Sequence, residues 1–156
     1  MVKKQLFQID YFDGYHLLAI VTHLKDYRLA FFLNRETESQ FARYEDLCVG
    51  DDKCYSLYRY HRKEDHITFY LISNTNEIRK LIPSKKEVDY FLLIKDAVGN
   101  GIAGEMVGQI RKIKNVMAVF KIDMTSVKDM DLLLEMIELH EVEQKKQQTK
   151  NITKPK

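Results

Sequence analysis

The sequence predicts an α+β domain. Its core is a mostly antiparallel sheet of five to six strands with two packed helices, in a ferredoxin-like or related split-βαβ arrangement, followed by a C-terminal helix. Three observations predict it. β-branched and aromatic runs of strand length recur along the chain, and a short polar turn joins two of them. Two stretches with apolar residues at helical spacing lie between such runs. A segment rich in Leu and Met closes the ordered part of the chain.

Taken in order, Tyr15 to Val21 is an aliphatic run that suits a strand buried on both faces. Leu24, Tyr27, Phe31 and Phe32 then recur at helical spacing, with Thr22 or His23 near the N-cap and Asp26 in the first turn. Asn34 is read as the stop. Phe41 to Leu47 reads as a strand ending at Gly50-Asp51-Asp52. Tyr55–Arg62 and His66–Ile72 flank Lys63-Glu64-Asp65 as a hairpin with Ile67, Phe69 and Leu71 on one face. A polar loop at residues 73–76 follows. Pro83 cannot donate to a ladder, so the next strand starts beyond it, at Val88 to Ile94. Ile102, Met106, Ile110 and Ile113 form a helical stripe, and Val116 to Ile122 returns as a strand. Ser126-Val127-Lys128-Asp129 resembles a capping box that opens a last helix ending near Glu143. The order is β-α-β-β-β-β-α-β-α. Allowing for added hairpin strands, it contains the β-α-β-β-α-β of a split-βαβ sandwich.

Composition narrows the function classes. The chain has 156 residues, 45% of them apolar, which suits one globular domain that needs no metal or disulfide staple. Its longest aliphatic run, Leu17 to Val21, is far short of the ~20 residues of a membrane helix. Met1–Gln5 carries the charge of a signal peptide without an apolar stretch behind it, so a cytoplasmic protein with no membrane partner is expected. The net charge of +2 hides an asymmetry. Residues 144–156 hold five lysines and no acid, and residues 1–143 hold 20 basic against 23 acidic residues. Residues 1–143 therefore read as a single domain, slightly acidic and unlike a dedicated nucleic-acid binder. Residues 144–156 read as a disordered Lys/Gln-rich tail.

Cys48 and Cys54 lie six apart around a turn that could bring them together. Two thiols make neither a disulfide framework nor a zinc site, so ordinary reduced thiols are expected. The five histidines are scattered, and no metal site is read. His61 and His66 flank the hairpin turn and fit a solvated cross-strand pair.

Gly99-Asn100-Gly101-Ile102-Ala103-Gly104 fits the dinucleotide fingerprint G-x-G-x-x-G, with Asp123 in the place of the ribose acid. Residues 95–98 separate the preceding strand from the first glycine, and Asp96 would set an anion beside a pyrophosphate. Only 33 residues follow Asp123, too few for the remaining crossovers. No dinucleotide or other cofactor is therefore expected. Gly99 and Gly101 are read as a flexible loop, and Gly104 and Gly108 as the close approach of helix to sheet. No nucleophile elbow and no phosphate loop occur, so nothing in the sequence points to catalysis.

Two surfaces are candidates for binding. Tyr58, Arg59, Tyr60 and Arg62 make a basic, aromatic strand of the kind that stacks single-stranded RNA. Strand alternation, however, divides them between two faces, and a half-solvated sheet explains them as well. Within the last helix, Met130, Leu133, Leu134 and Ile137 form one stripe, which leaves Leu132, Met136 and Leu139 pointing elsewhere. A homodimer mate or another protein would cover them, and deeper burial would do so equally.

Leu81-Ile82-Pro83 through Val88-Asp89-Tyr90-Phe91 resembles the Ile-Pro-Glu-x-x-x-Val-Asp-Tyr signature of the IPExxxVDY family of small bacterial proteins. Asp26-Tyr27-Arg28 and Leu33-Asn34 are similar to that family's upstream helix. The likeness spans roughly residues 15–122. Ser84 replaces the glutamate, and the spacer Lys85-Lys86-Glu87 is this chain's own. The resemblance implies a bacterial cytoplasmic protein and brings no activity with it. Physically, Asp26, Tyr27, Arg28, Asn34, Pro83, Asp89 and Tyr90 suit a packing job, with Arg28 paired to Asp89 and the tyrosine hydroxyls satisfied nearby. The sequence thus favours a non-enzymatic interaction or regulatory domain with a protein partner or itself, and, as the alternative, an RNA-binding accessory protein using the aromatic, basic strand and the lysine tail.

Overall fold

The computed structural model describes residues 12–50, 53–76, 79–99 and 101–153. The elements run β1 (His16–Thr22), α1 (Asp26–Thr37), β2 (Ala42–Cys48), β3 (Cys54–Arg62), β4 (Ile67–Ser73), β5 (Tyr90–Lys95), α2 (Gly101–Ile110), β6 (Val116–Ile122) and α3 (Met130–Thr153). Short 3-10 turns at Pro83–Lys85 and Met124–Ser126 precede β5 and α3.

All six strands form one sheet in the order β2-β3-β4-β5-β1-β6, antiparallel throughout. In the part β4-β5-β1-β6, β1 lies between β5 and β6, which α2 connects. This is the expected split-βαβ topology, and the β2–β3 hairpin extends it on one side. Gly99 lies in the loop after β5, whereas Gly101, read as loop, opens α2 and Gly104 lies within it. The two strands this helix connects are separated by β1 rather than adjacent as in a dinucleotide-binding βαβ unit.

Both faces of the sheet are covered. Leu18, Ile20, Phe69, Leu71, Leu92 and Ile94 pack under α1 and α2, which supply Leu29, Ala30, Leu33, Ala103, Met106 and Ile110. The alternate residues Leu17, Ala19, Tyr70, Ile72, Phe91 and Leu93 pack under α3. Two covered faces explain why every residue of β4 is buried and why β1, β4 and β5 read as continuous apolar runs. Met130, Leu134 and Ile137 anchor α3, together contributing about 5–8 kcal/mol by burial.

Several local expectations are corrected. Helix α1 starts at Asp26 behind an extended Lys25 with no side-chain cap. Thr22 instead donates its hydroxyl to the Asn115 carbonyl (2.6 Å) and accepts from Leu24 N (3.1 Å), tying the end of β1 to the turn before β6. Asn34 does not stop the helix, which continues to a left-handed Glu38 (φ 53°). Its amide pairs with the Phe41 backbone, accepting from N at 2.7 Å and donating to O at 3.1 Å, and so anchors the chain entering β2. Ser126 makes no capping box, because its hydroxyl donates to Asp123 O (2.6 Å) within the 3-10 turn and α3 begins at Met130. Gly104 and Gly108 are exposed, and a Cβ there would meet nothing within 4 Å, so neither serves close packing. Helix α3 continues to Thr153, through most of the stretch expected to be disordered. Residues 154–156 lie outside the described residues.

Cys48 and Cys54 are joined as a disulfide rather than left as thiols. They are directly opposed in the β2–β3 register, with Cα atoms 4.0 Å apart. A single cross-strand bond needs only that opposition, so counting cysteines for a framework does not bear on it. Closing so short a loop removes about 2 kcal/mol of unfolded-chain entropy. Cys48→Ser with Cys54→Ser, or a reducing agent, should therefore lower the unfolding free energy by that amount in urea titrations with and without dithiothreitol.

Candidate protein-interaction surface

Helix α3 has two unlike faces. Its inner face starts with Met130, Leu134 and Ile137 and continues, at the same helical spacing, into Glu138 and Glu141. Glu141 is 5% exposed. It accepts a hydrogen bond from the Tyr70 hydroxyl (2.6 Å), one from the Tyr44 hydroxyl (3.2 Å) and an ion-paired one from Arg59 Nε. Glu138 receives the Tyr15 hydroxyl and Lys95 Nζ, each at 2.7 Å. His140 donates from Nε2 to the Glu45 carbonyl at 2.9 Å, so α3 also holds the edge strand β2.

The electrostatics follow from this geometry. Burial pushes the Glu141 carboxyl up, but the Tyr70 hydroxyl and the Arg59 guanidinium outweigh it and hold the group below its ordinary value of 4.5. Burial draws Arg59 down, and the bond and charge of Glu141 more than offset that. Burial, then the neighbouring carboxylate, pushes Tyr44 up to about 12 and Tyr70 well above its ordinary range. The cluster is a set of mutually satisfied groups that rivets α3 to β2, β3 and β4. Sequence reasoning ended the apolar stripe at Ile137 and missed it. The readable signal was a buried stripe running on into acids, which calls for cationic or hydroxyl partners below.

The outer face is different. Leu132, Met136, Leu139 and Val142 are exposed, at 47%, 38%, 59% and 47%. Beside the first two runs a groove of about 590 Å³, lined by Val49, Leu81, Ile82 and Pro83 on one part and by Met130, Leu132, Leu133 and Met136 on another. Lys53, Lys128 and Asp129 are also among its lining residues. The structure thus brings Pro83 of the family-like motif beside Leu132 and Met136. Leu139 lies further along the helix, and Val142 extends the stripe.

Of the rest of the family-like motif, Asn34, Asp89 and Tyr90 make hydrogen bonds within the fold, whereas Tyr27 and Arg28 are exposed. Arg28 and Asp89 do not pair, since Arg28 is exposed and sits 5.8 Å from the Phe32 ring centroid. Asp89 accepts instead from Thr22 N (2.9 Å), and its own N–H bonds Ile20 O. Tyr90 donates to Leu24 O (2.7 Å), linking β5 to the approach of α1, whereas Tyr27 is 62% exposed. Asp26 accepts from Tyr27 N. Arg28→Met should therefore leave stability within about 0.5 kcal/mol. Asp89→Ala, which orphans the Thr22 N–H, should cost about 1–2 kcal/mol, and chemical denaturation of the two variants checks both.

A residue missed entirely organises this region. Asn74, fully buried, donates to Lys85 O (2.9 Å) and Val88 O (2.8 Å) and accepts from Ile82 N (2.8 Å). The segment carrying Pro83 folds around that one side chain.

The candidate RNA strand is not presented as one open surface. Tyr58 is buried, and Tyr60 stacks on Phe69 with centroids 5.5 Å apart. Arg59 is held by Glu141, and Arg62 bonds Asp65 through two nitrogens. Tyr58 and Tyr60 face α1, while Arg59 faces α3, as strand alternation divides them. The His61 and His66 rings lie 6.0 Å apart, and His61 Nδ1 bonds the Thr68 hydroxyl. Among the described residues no group of three or more His, Cys, Asp or Glu is arranged to hold a metal, and no helix is long and apolar enough to cross a membrane. No family model and no curated protein matches the chain.

Proposed function

We propose that this chain is a non-enzymatic protein-interaction domain of the IPExxxVDY family, acting in the cytoplasm through the outer face of α3 and the groove beside it. One observation carries the reading. Four large apolar side chains stand exposed on the helix surface opposite the one that docks on the sheet. A solvated helix avoids such a stripe, and a protein partner would bury it at little polar cost. The charged groups on the inner face are held by partners in the sheet, and the outer face and groove stay open to a partner.

The test is affinity purification of the tagged chain and of Leu139→Glu from the native cell, washed at low and then high salt. Protein, including untagged copies of the chain, and RNA are both quantified. The proposal expects a stoichiometric protein that survives high salt and is lost with Leu139→Glu. RNA held at low salt and released at high salt would instead mark a phosphate-binding surface. Location has its own check, because disulfides are rare in a reducing cytoplasm. The opposed pair closes on oxidation in the folded protein, so in a reducing cytoplasm lysis into an alkylating agent should trap the open form. A bond already present at lysis would place the protein in an oxidising compartment.

A further inference from the structure

We propose that the partner at this surface is a second copy of the chain, with the two α3 helices packed antiparallel about a two-fold axis. The inference rests on the interaction reading above and names its partner. Leu132, Met136, Leu139 and Val142 follow one another at spacings of four, three and three, the pattern of a helix–helix seam. The seam covers roughly 120° of the helix, centred about 180° from the Met130–Leu134–Ile137–Glu141 face, so a second helix reaches it without disturbing the sheet contact.

Charge sets the direction. The exposed charges at or beside the seam are acidic at Asp131 and Glu135 in the first half of α3 and at Glu143 just past its middle, and turn basic beyond, at Lys146. A parallel pair would oppose like charges along its whole length. An antiparallel pair brings the acidic start of one helix against the basic end of the other. If Leu139 faces Val142 of the second copy, the same register sets Glu135 opposite Lys146. The two-fold axis makes that pair twice, as an isologous interface requires.

The length of the helix points the same way. Its 24 residues span about 36 Å, and beyond Glu141 the described side chains are exposed or half-buried. A polar extension of that length is a marginal helix by itself. In an antiparallel pair it lies along the first half of the neighbouring α3. A single pair of helices makes a small interface, so monomer and dimer should exchange with concentration.

The experiment is light scattering after size exclusion on the pure full chain across a concentration series. Four variants are compared with the natural protein: Leu139→Glu, Glu135→Lys, Lys146→Glu and the double exchange Glu135→Lys with Lys146→Glu. All change exposed residues, and circular dichroism confirms that each folds. The expected result is a concentration-dependent rise towards twice the 18.5 kDa chain mass. Leu139→Glu should abolish it. Each single reversal should weaken it about tenfold, and the double exchange should restore it to within a few-fold of the natural protein. A dimer indifferent to Leu139→Glu, or a double exchange no better than the single reversals, overturns the antiparallel α3 pair. A strict monomer that still captures a different protein through Leu139 overturns self-pairing alone and leaves the interaction reading standing. A strict monomer that captures nothing overturns both.

Discussion

Replacing Glu141 with alanine should lower the unfolding free energy by about 3 kcal/mol, measured by urea denaturation. The carboxylate is 5% exposed and is the common acceptor for Arg59, Tyr70 and Tyr44. Without it, a largely desolvated guanidinium and a buried phenol hydroxyl lose their partner. Unpaired buried groups cost more than the bonds were worth. The loss should be much smaller when Arg59→Met and Tyr70→Phe accompany Glu141→Leu, because the guanidinium and the buried hydroxyl that would be orphaned are then removed with the carboxylate. That contrast separates the ion pair from simple loss of bulk. The same site sets the response to acid. The folded-state carboxyl titrates below its ordinary value, so its stabilisation is fully present above about pH 4.5 and fades as pH falls through the depressed value. Glu138 is depressed too: burial raises it, and Lys95 and Tyr15 outweigh that. Acid should therefore release α3 before it unfolds the sheet. A near-ultraviolet signal from Tyr44 and Tyr70 that changes ahead of the far-ultraviolet signal would show it.

Asn74→Ala should cost a comparable amount, about 3 kcal/mol, although the residue lies in a polar loop. Its side chain satisfies two carbonyls and one N–H of the segment between β4 and β5, at Lys85, Val88 and Ile82. Truncation leaves all three without that partner beneath the groove rim. Asn74→Asp is the sharper probe. It keeps the shape and the bond from Ile82 but sets an anion against two carbonyl oxygens, so it should destabilise at least as much as alanine. Equal stability of Asn74→Asp and the natural protein in thermal unfolding would contradict this role.

What was readable in the sequence and what was not divides along physical lines. β1, β4 and β5 were legible because two covered faces demand continuous apolar runs, and the β3–β4 hairpin because its turn is short and polar. The outer stripe of α3 was legible as an excess of Leu and Met that a single buried face could not use. Leu132, Met136 and Leu139 stand there, and Leu132 and Met136 also line the groove with Pro83. Contacts between distant side chains were not legible. Arg59 and Glu141 are 82 positions apart, and no local pattern pairs them. Arg28 and Asp89 looked like the natural ion pair by charge alone. The backbone of β1 ends beside Asp89 and offers it the Thr22 N–H, while α1 turns Arg28 outward. The helix beyond Glu143 was hidden because its composition is that of a solvated tail, with no apolar stripe to mark helical spacing.

Hydrogen exchange along α3 as a function of protein concentration tests most directly whether its outer face is a contact surface. Pairing through that face requires the amides of residues 145–149 to be protected where the dimer forms and to lose that protection on dilution. The amides of β4 and β5 should stay protected throughout. Protection of residues 145–149 that is the same at every concentration, or lost only together with the sheet, would contradict it.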